Sequence, residues 1–256
     1  MGISKAQQKL VRSLEQKKYR QREGLFVAEG PKVVGDLLRA GFRAEQLFAT
    51  VQCLADGMLP CSTGVNTVEV SDDELRRVSF LQHPQGVLAV FHMPAMQYVP
   101  DVSALRSSLV LALDGVQDPG NLGTIIRIAD WFGIDTVCCS TDTADAWNPK
   151  VVQATMGSIA RVHIIYTDLV ALADRAAGAA VPVYGTLLDG ADIYRQTLTT
   201  NGIIVMGNEG NGISPDMRCR VTHRLLIPDF HNGQTADSLN VAIATAITCS
   251  EFRRRQ

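Results

Sequence analysis

The sequence has no apolar run long enough to cross a membrane, and its start, MGISKAQQKL, is polar where a secretory leader would be greasy. A membrane partner is therefore not expected, and the expected setting is a reducing cytoplasm. Six cysteines stand at 53, 61, 138, 139, 219 and 249, without a CxxC or a Cys–His cluster. That excludes the usual structural zinc site, and no bound metal is expected. Cys138 and Cys139, inside an apolar run, read as buried thiols. The histidines at 83, 92, 163, 223 and 231 show neither HxH nor HExxH, and no GxSxG is present, which removes the zincin and serine-hydrolase signatures. The formal net charge of -2 also denies the chain a general positive field, so any polyanion must be met by a local patch.

What the chain does have is length and apolar content: 256 residues, 46% hydrophobic, enough for one large domain or two modest ones. Its charge is uneven. Between Met1 and Arg22 stand Lys5, Lys9, Arg12, Lys17, Lys18, Arg20 and Arg22 against Glu15 alone, and Arg253, Arg254 and Arg255 close the chain. KAQQKLVRSLEQKKYR carries a helical apolar stripe, GPKVVGDLLRAG runs from Pro31 to a stop at Gly41, and SDDELRRVSF has the capping-box spacing from Ser71 to Glu74. LFATVQCL and GVLAVFHM read as strands. Residues 1–93 thus make a small α/β domain, and 94–107, with two prolines and no clean period, a linker. Residues 108–256 make a second domain in which strands (LVLALDG, IDTVCCS, RVHIIY, VPVYGTLL, GIIVMG, VTHRLLIP) alternate with helices (NLGTIIRIADWFG, NPKVVQATMGS, SPDMRCR, SLNVAIATAITCSEF). Alternation of this kind predicts an α/β fold with an open, mostly parallel sheet, whose ligands sit beyond the C-terminal ends of its strands.

Three loops fall at such ends. The first, DGVQDPGNLG, enters a helix in which Arg127 interrupts an apolar run; Asn121 or Gly120 reads as its cap, and Arg127 needs a partner or a way to solvent. The second is GNEGNG, after IIVM. It lacks the lysine of a phosphate-binding P-loop and the spacing of a dinucleotide fingerprint, which excludes ATP, GTP or NAD at that loop. Its glycines still let backbone groups approach a nucleoside, and Met206, Ile213 and Ile227 offer apolar surface for a base. Glu209 is the odd member, either a solvated turn residue or a carboxylate with an arginine or ribose to meet. The third loop runs from Ile227 to Asn240; Asp237 or Ser238 reads as a helix cap, Asn240 falls in the first turn, and His231 has a position from which to face substrate.

Together, NLGTIIRIADWFG, VMGNEGNGI, and IP with SLNVAIATAI resemble the signatures of the SpoU (TrmH-like) family of knotted RNA ribose 2'-O-methyltransferases. SLEQKKYRQREGLFVAEGPKVVGDLL resembles the L30e-like substrate-binding domain that precedes the catalytic domain in many members. The resemblance implies a deep trefoil knot in the C-terminal domain, S-adenosylmethionine as cofactor, a homodimer, and methyl transfer to a ribose of tRNA or rRNA. It carries catalytic roles to Arg127, Asn121, Glu209, Ser238 and Asn240. It carries the cofactor loop to Met206, Gly207, Asn208, Gly210 and Gly212, with Ile227 and Leu239 alongside. RNA binding is expected from Lys17, Lys18, Arg20 and Arg22. The segment after Ile227-Pro228, with Asp229, His231 and Gln234, is longer than the common pattern and lacks its methionine. Two other readings stay open: a non-catalytic RNA-binding protein with the same fold, and a nucleotide-binding enzyme of another class, distinguished by whether S-adenosylmethionine rather than NAD or ATP binds.

Overall fold

The computed structural model describes residues 2–57, 59–60, 65–95, 99–231 and 237–254. Cys61, Gln234 and Arg255 lie outside them. In chain order the elements are α1 (Lys5–Ser13), α2 (Lys17–Glu23), β1 (Leu25–Glu29), α3 (Pro31–Arg39), β2 (Ala44–Ala49), α4 (Val51–Ala55), β3 (Thr67–Glu69), α5 (Asp72–Val78), β4 (Val87–His92), α6 (Val102–Ser107), β5 (Leu109–Asp114), α7 (Pro119–Trp131) and β6 (Thr136–Cys139). They continue with α8 (Pro149–Ala154), β7 (His163–Tyr166), α9 (Leu169–Gly178), β8 (Val183–Asp192), β9 (Gly202–Gly207), α10 (Pro215–Arg218), β10 (His223–Leu226) and α11 (Val241–Arg254). No helix among the described residues is long and apolar enough to cross a membrane.

Two compact units result: Met1–Ala95 with Asp145–Arg161, and Met96–Ala144 with Val162–Gln256. The division differs from the expected boundaries in one respect. Residues 145–161, between β6 and β7, pack with the N-terminal unit.

That unit is a four-stranded sheet in the order β1-β4-β2-β3, antiparallel except for β2 with β3. Its core gathers Val11, Leu14, Val27, Phe48, Leu75, Leu88 and Val90. β1 was not legible as a strand because all five of its residues are buried, so no polar alternation marks it. LFATVQCL is not one strand. β2 ends at Ala49, and the Thr50 hydroxyl accepts from the Cys53 N–H at 3.3 Å to start α4. The basic helix expected at the N-terminus is likewise two helices, and the break has a physical cause. Arg20 Nη1 donates to the Leu14 and Glu15 carbonyls, both at 2.7 Å, replacing the helical partners those carbonyls have lost. The Arg20 guanidinium also bonds Asp145, with Nε at 3.1 Å from Oδ2, and only 1% of the residue is exposed. Trp147, from the same 145–161 segment, packs on Phe26 with ring centroids 4.7 Å apart.

The other unit is a six-stranded sheet, parallel at every pairing, in the order β10-β8-β9-β5-β6-β7. β5 and β9, the two central apolar runs, pair from Leu109 with Gly202 to Asp114 with Gly207, so the first two loops leave the sheet side by side. Val110, Ala112, Ile203 and Val205 join Leu172, Ala173, Ile213 and Met217 in the core. α11 is tied to α7 by Arg253, which donates to the Phe132 and Gly133 carbonyls at 2.7 and 2.8 Å. The segment read as a plain linker contains α6, capped by Asp101, whose carboxylate accepts from the Ala104 N–H at 2.8 Å.

Candidate active site

The site forms where β5 and β9 end. After Met206 the chain makes a tight turn: Asn208 N–H donates to the Gly212 carbonyl and Gly212 N–H to the Asn208 carbonyl, each at 2.9 Å. The Asn208 carboxamide oxygen accepts from the Gly210 and Asn211 N–H groups at 2.9 Å, and its amide donates to the Gly115 carbonyl at 2.7 Å. Gly207 is compulsory here. A Cβ on it would lie 2.3 Å from both Gly212 C and Ile213 N. Gly212 has φ +68, in the left-handed region, whereas Gly210 has no such constraint and its missing Cβ would meet nothing closer than 3.6 Å.

Glu209, at the tip, reaches back to the first loop. One carboxylate oxygen accepts from Asp118 N–H at 3.2 Å and from the Asn121 amide at 2.9 Å; the other accepts from Gln117 N–H at 3.3 Å. Asn121 in turn accepts from the Asn240 amide at 2.9 Å, and the Asn240 oxygen accepts from the Ala242 and Ile243 N–H groups at 2.9 and 3.3 Å. Glu209, Asn121 and Asn240 are thus one relay joining all three loops, and each amide is oriented by its neighbours. Burial works against the charge on Glu209, but the Asn121 amide and the backbone N–H groups of Gln117 and Asp118 outweigh it and hold the carboxyl below its ordinary range. Two expected caps are corrected by this geometry. α7 is capped by Asp118, which accepts from Asn121 N–H at 2.8 Å, because Pro119 takes the first helical position and leaves Asn121's side chain free for Glu209. α11 is capped by Asn240, not by Asp237 or Ser238.

Beside the relay lies a cavity of about 470 Å³. Met206, Gly207, Asn208, Gly210, Gly212, Ile227 and Leu239 all line it, as do Glu209 and Ser238. Sequence reasoning missed a third wall: Thr186 to Asp189 at the end of β8, with Arg218 and Leu225. Asp189 accepts from Arg218 at 2.6 Å and Arg224 at 2.9 Å. Leu188 and Leu239 are 76% and 50% exposed, an unusual display of apolar surface at a cavity mouth. Peptide groups on one side, apolar side chains on another and a charged cluster suit a ligand with a flat heterocycle and a polar tail.

Arg127 is not brought into this constellation. It lies exposed on α7 with no hydrogen-bond or ion-pair partner among the described residues. In the other unit, Lys17, Lys18 and Arg22 are exposed, and Lys18 and Arg22 sit 4.9 and 4.8 Å from the Tyr19 ring centroid. Arg20 is a correction. Four of its five N–H groups are taken by Asp145 and two carbonyls, and its burial keeps the guanidinium from reaching a phosphate.

Residues 108–250 match the model of the SpoU rRNA methylase family, and residues 5–89 that of the MRM3-like substrate-binding domain. The chain belongs to the SpoU rRNA methylase family. Membership of a methylase family sets the chain apart from nucleotide-binding enzymes of another class. It is 32% identical to the 23S rRNA (guanosine(2553)-2'-O)-methyltransferase RlmP of Bacillus subtilis, over 94% of each chain. Among solved structures, a Porphyromonas gingivalis protein of the TrmH family superposes over 100% of both chains with TM-score 0.89 and 43% identity. An AdoMet-bound rRNA methyltransferase of Sinorhizobium meliloti superposes with TM-score 0.85 and 31% identity, over 100% of this chain and 97% of that one.

Proposed function

We propose that the chain methylates ribosomal RNA, with its cofactor held in the cavity between β8, the 207–213 turn, Ile227 and residues 237–239. The cavity carries the reading: its lining unites seven residues singled out independently as a cofactor loop. Met206, Ile227, Leu239 and Leu188 would enclose the adenine faces, and the peptide groups from Gly207 to Gly212 would meet its polar edge and ribose. S-adenosylmethionine, when bound, supplies a methyl group activated on a sulfonium. The protein's own task is to orient the ribose and to stabilise charge on its oxygen. Glu209 and Asn240 position Asn121 for this, and Ser238 offers a hydroxyl at the cavity wall. The guanidinium of Arg127 would stabilise the developing alkoxide while water or a phosphate takes the proton.

Residues 1–93 serve as the RNA substrate-binding domain, of L30e-like fold, with 94–107 as linker and 108–256 as catalytic domain. Lys17, Lys18 and Arg22 supply the phosphate contacts, because a chain of net charge -2 must meet RNA through a local basic surface. The C-terminal domain is read as a trefoil knot closed by α11. The working state is a homodimer in the cytoplasm, with Arg127 completing the site at the subunit boundary. The exposed Trp131 and Ile243, 84% and 52% accessible on α7 and α11, favour a covered interface there. Ribosomal RNA is favoured over tRNA by the near full-length likeness to a 23S rRNA enzyme.

The test is Arg127→Ala. It should keep S-adenosylmethionine affinity by calorimetry and lose single-turnover methyl transfer to unmodified 23S rRNA transcript by ~10²-fold or more, the scale of a lost electrostatic stabiliser. An unchanged rate would leave Arg127 without a role; transfer to tRNA transcripts alone would reverse the choice of substrate.

A further inference from the structure

Phe230 is, after Trp131, the most exposed large apolar side chain among the described residues. It is 82% exposed, a position that costs solvation unless something covers it. The local structure keeps it outward. Asp229 Oδ1 accepts from the His231 N–H at 2.7 Å, closing a turn that has Phe230 at its tip. The turn leaves β10, the edge strand of the six-stranded sheet. Ile227, three residues before Phe230, lines the cavity, and so does Asp237. Three residues of extended chain span at most about 10 Å, so the Cα of Phe230 is held within that reach of Ile227. Arg218 and Arg224 share the carboxylate of Asp189 on the same wall, and Glu209 and Asp237 also line the cavity.

We propose that Phe230 is a base-stacking platform for the RNA substrate, taking a nucleotide that flanks the methylated one, with Arg218 and Arg224 facing its phosphate. An aromatic face next to basic groups is the arrangement by which single-stranded RNA is held, since bases unstacked from their neighbours need a replacement surface. The turn builds a substrate-positioning residue into the very segment in which this chain departs from the family pattern. The assignment rests on the functional reading above.

Phe230→Leu and Phe230→Trp separate stacking from mere apolar contact. With unmodified 23S rRNA transcript, Phe230→Leu should raise KM for RNA ~5- to 150-fold, the range set by loss of one base–aromatic stack. Its kcat, S-adenosylmethionine affinity, melting temperature and sedimentation behaviour should be those of the parent, and Phe230→Trp should restore the parent KM. A parent KM in Phe230→Leu would overturn the proposal. So would a changed sedimentation coefficient, which would make Phe230 a contact between copies of the chain, or an equal loss of S-adenosylmethionine affinity, which would make it part of the cavity wall. Failure of the parent to methylate any ribosomal or transfer RNA transcript would instead sink the functional reading itself, and the two failures are distinct.

Discussion

Replacing Glu209 by glutamine removes one charge and almost no volume, which makes it a sharp probe of the relay. The parent carboxylate accepts three hydrogen bonds, from Gln117 N–H, Asp118 N–H and the Asn121 amide. A glutamine can keep two of them on its oxygen, but its NH₂ must then face the N–H of Gln117, donor against donor. The loop end is solvent-exposed, so water takes over much of what is lost, and the expected destabilisation is about 1 kcal/mol rather than the sum for buried bonds. The catalytic loss should be larger. Asn121 loses its orienting acceptor and Asn240 its oriented partner, and a misplacement of about 1 Å in a reacting site costs ~10²-fold. The pH dependence has a definite sign. The folded carboxyl lies below its ordinary value of 4.5, so its contribution to stability is complete above that value and is lost as pH falls from it towards the folded pKa. Parent and Glu209→Gln should therefore differ in urea midpoint at neutral pH and converge in acid below the folded pKa. Single-turnover rates and urea titrations at the two pH values make the assay. A variant with the parent rate and the parent acid profile would refute the relay as an organising element of the site.

Gly207→Ala, whose Cβ would sit 2.3 Å from two backbone atoms, should disrupt the turn and lower both melting temperature and S-adenosylmethionine affinity, whereas Gly210→Val should melt like the parent and lose affinity alone by calorimetry. Arg20→Met leaves Asp145 and the Leu14 and Glu15 carbonyls without their partner in a buried place, and should cost ~3–5 kcal/mol in denaturant unfolding. Neutralising Lys17, Lys18 and Arg22 together should weaken RNA binding and flatten its salt dependence by up to about three counterions, leaving S-adenosylmethionine affinity unchanged; an identical salt slope would place the RNA elsewhere.

Arg20 shows why part of the fold was not legible. In sequence it is one of seven basic residues in a run, indistinguishable from Lys17 or Arg22. What sets it apart is Asp145, 125 positions away, and the two carbonyls freed where α1 ends. No local period reports either. The same holds for the expected long helix, broken at a place defined by a tertiary contact, and for β1, buried on both faces. By contrast, the capping box at Ser71 is local chemistry, and it stands as read.

The site divides along the same line. Gly207 and Gly212 were legible because a turn that brings two backbone strands within bonding distance permits few residues, and the sequence must record that. Glu209 was legible only as an oddity, since its main partners are backbone N–H groups and any residue can supply those. The wall from Thr186 to Asp189 was illegible for a third reason. β8 precedes β9 in the chain and lies beside it in the sheet, but the adjacency of β10 to β8, which brings Leu225 and Arg224 to Leu188 and Asp189, is a fact of strand order. An open parallel sheet admits several such orders for one pattern of alternating elements, and each would put different side chains at the strand ends. Motif residues name the loops of a site; its remaining wall is chosen by topology, and here that wall carries Asp189 with its two arginines.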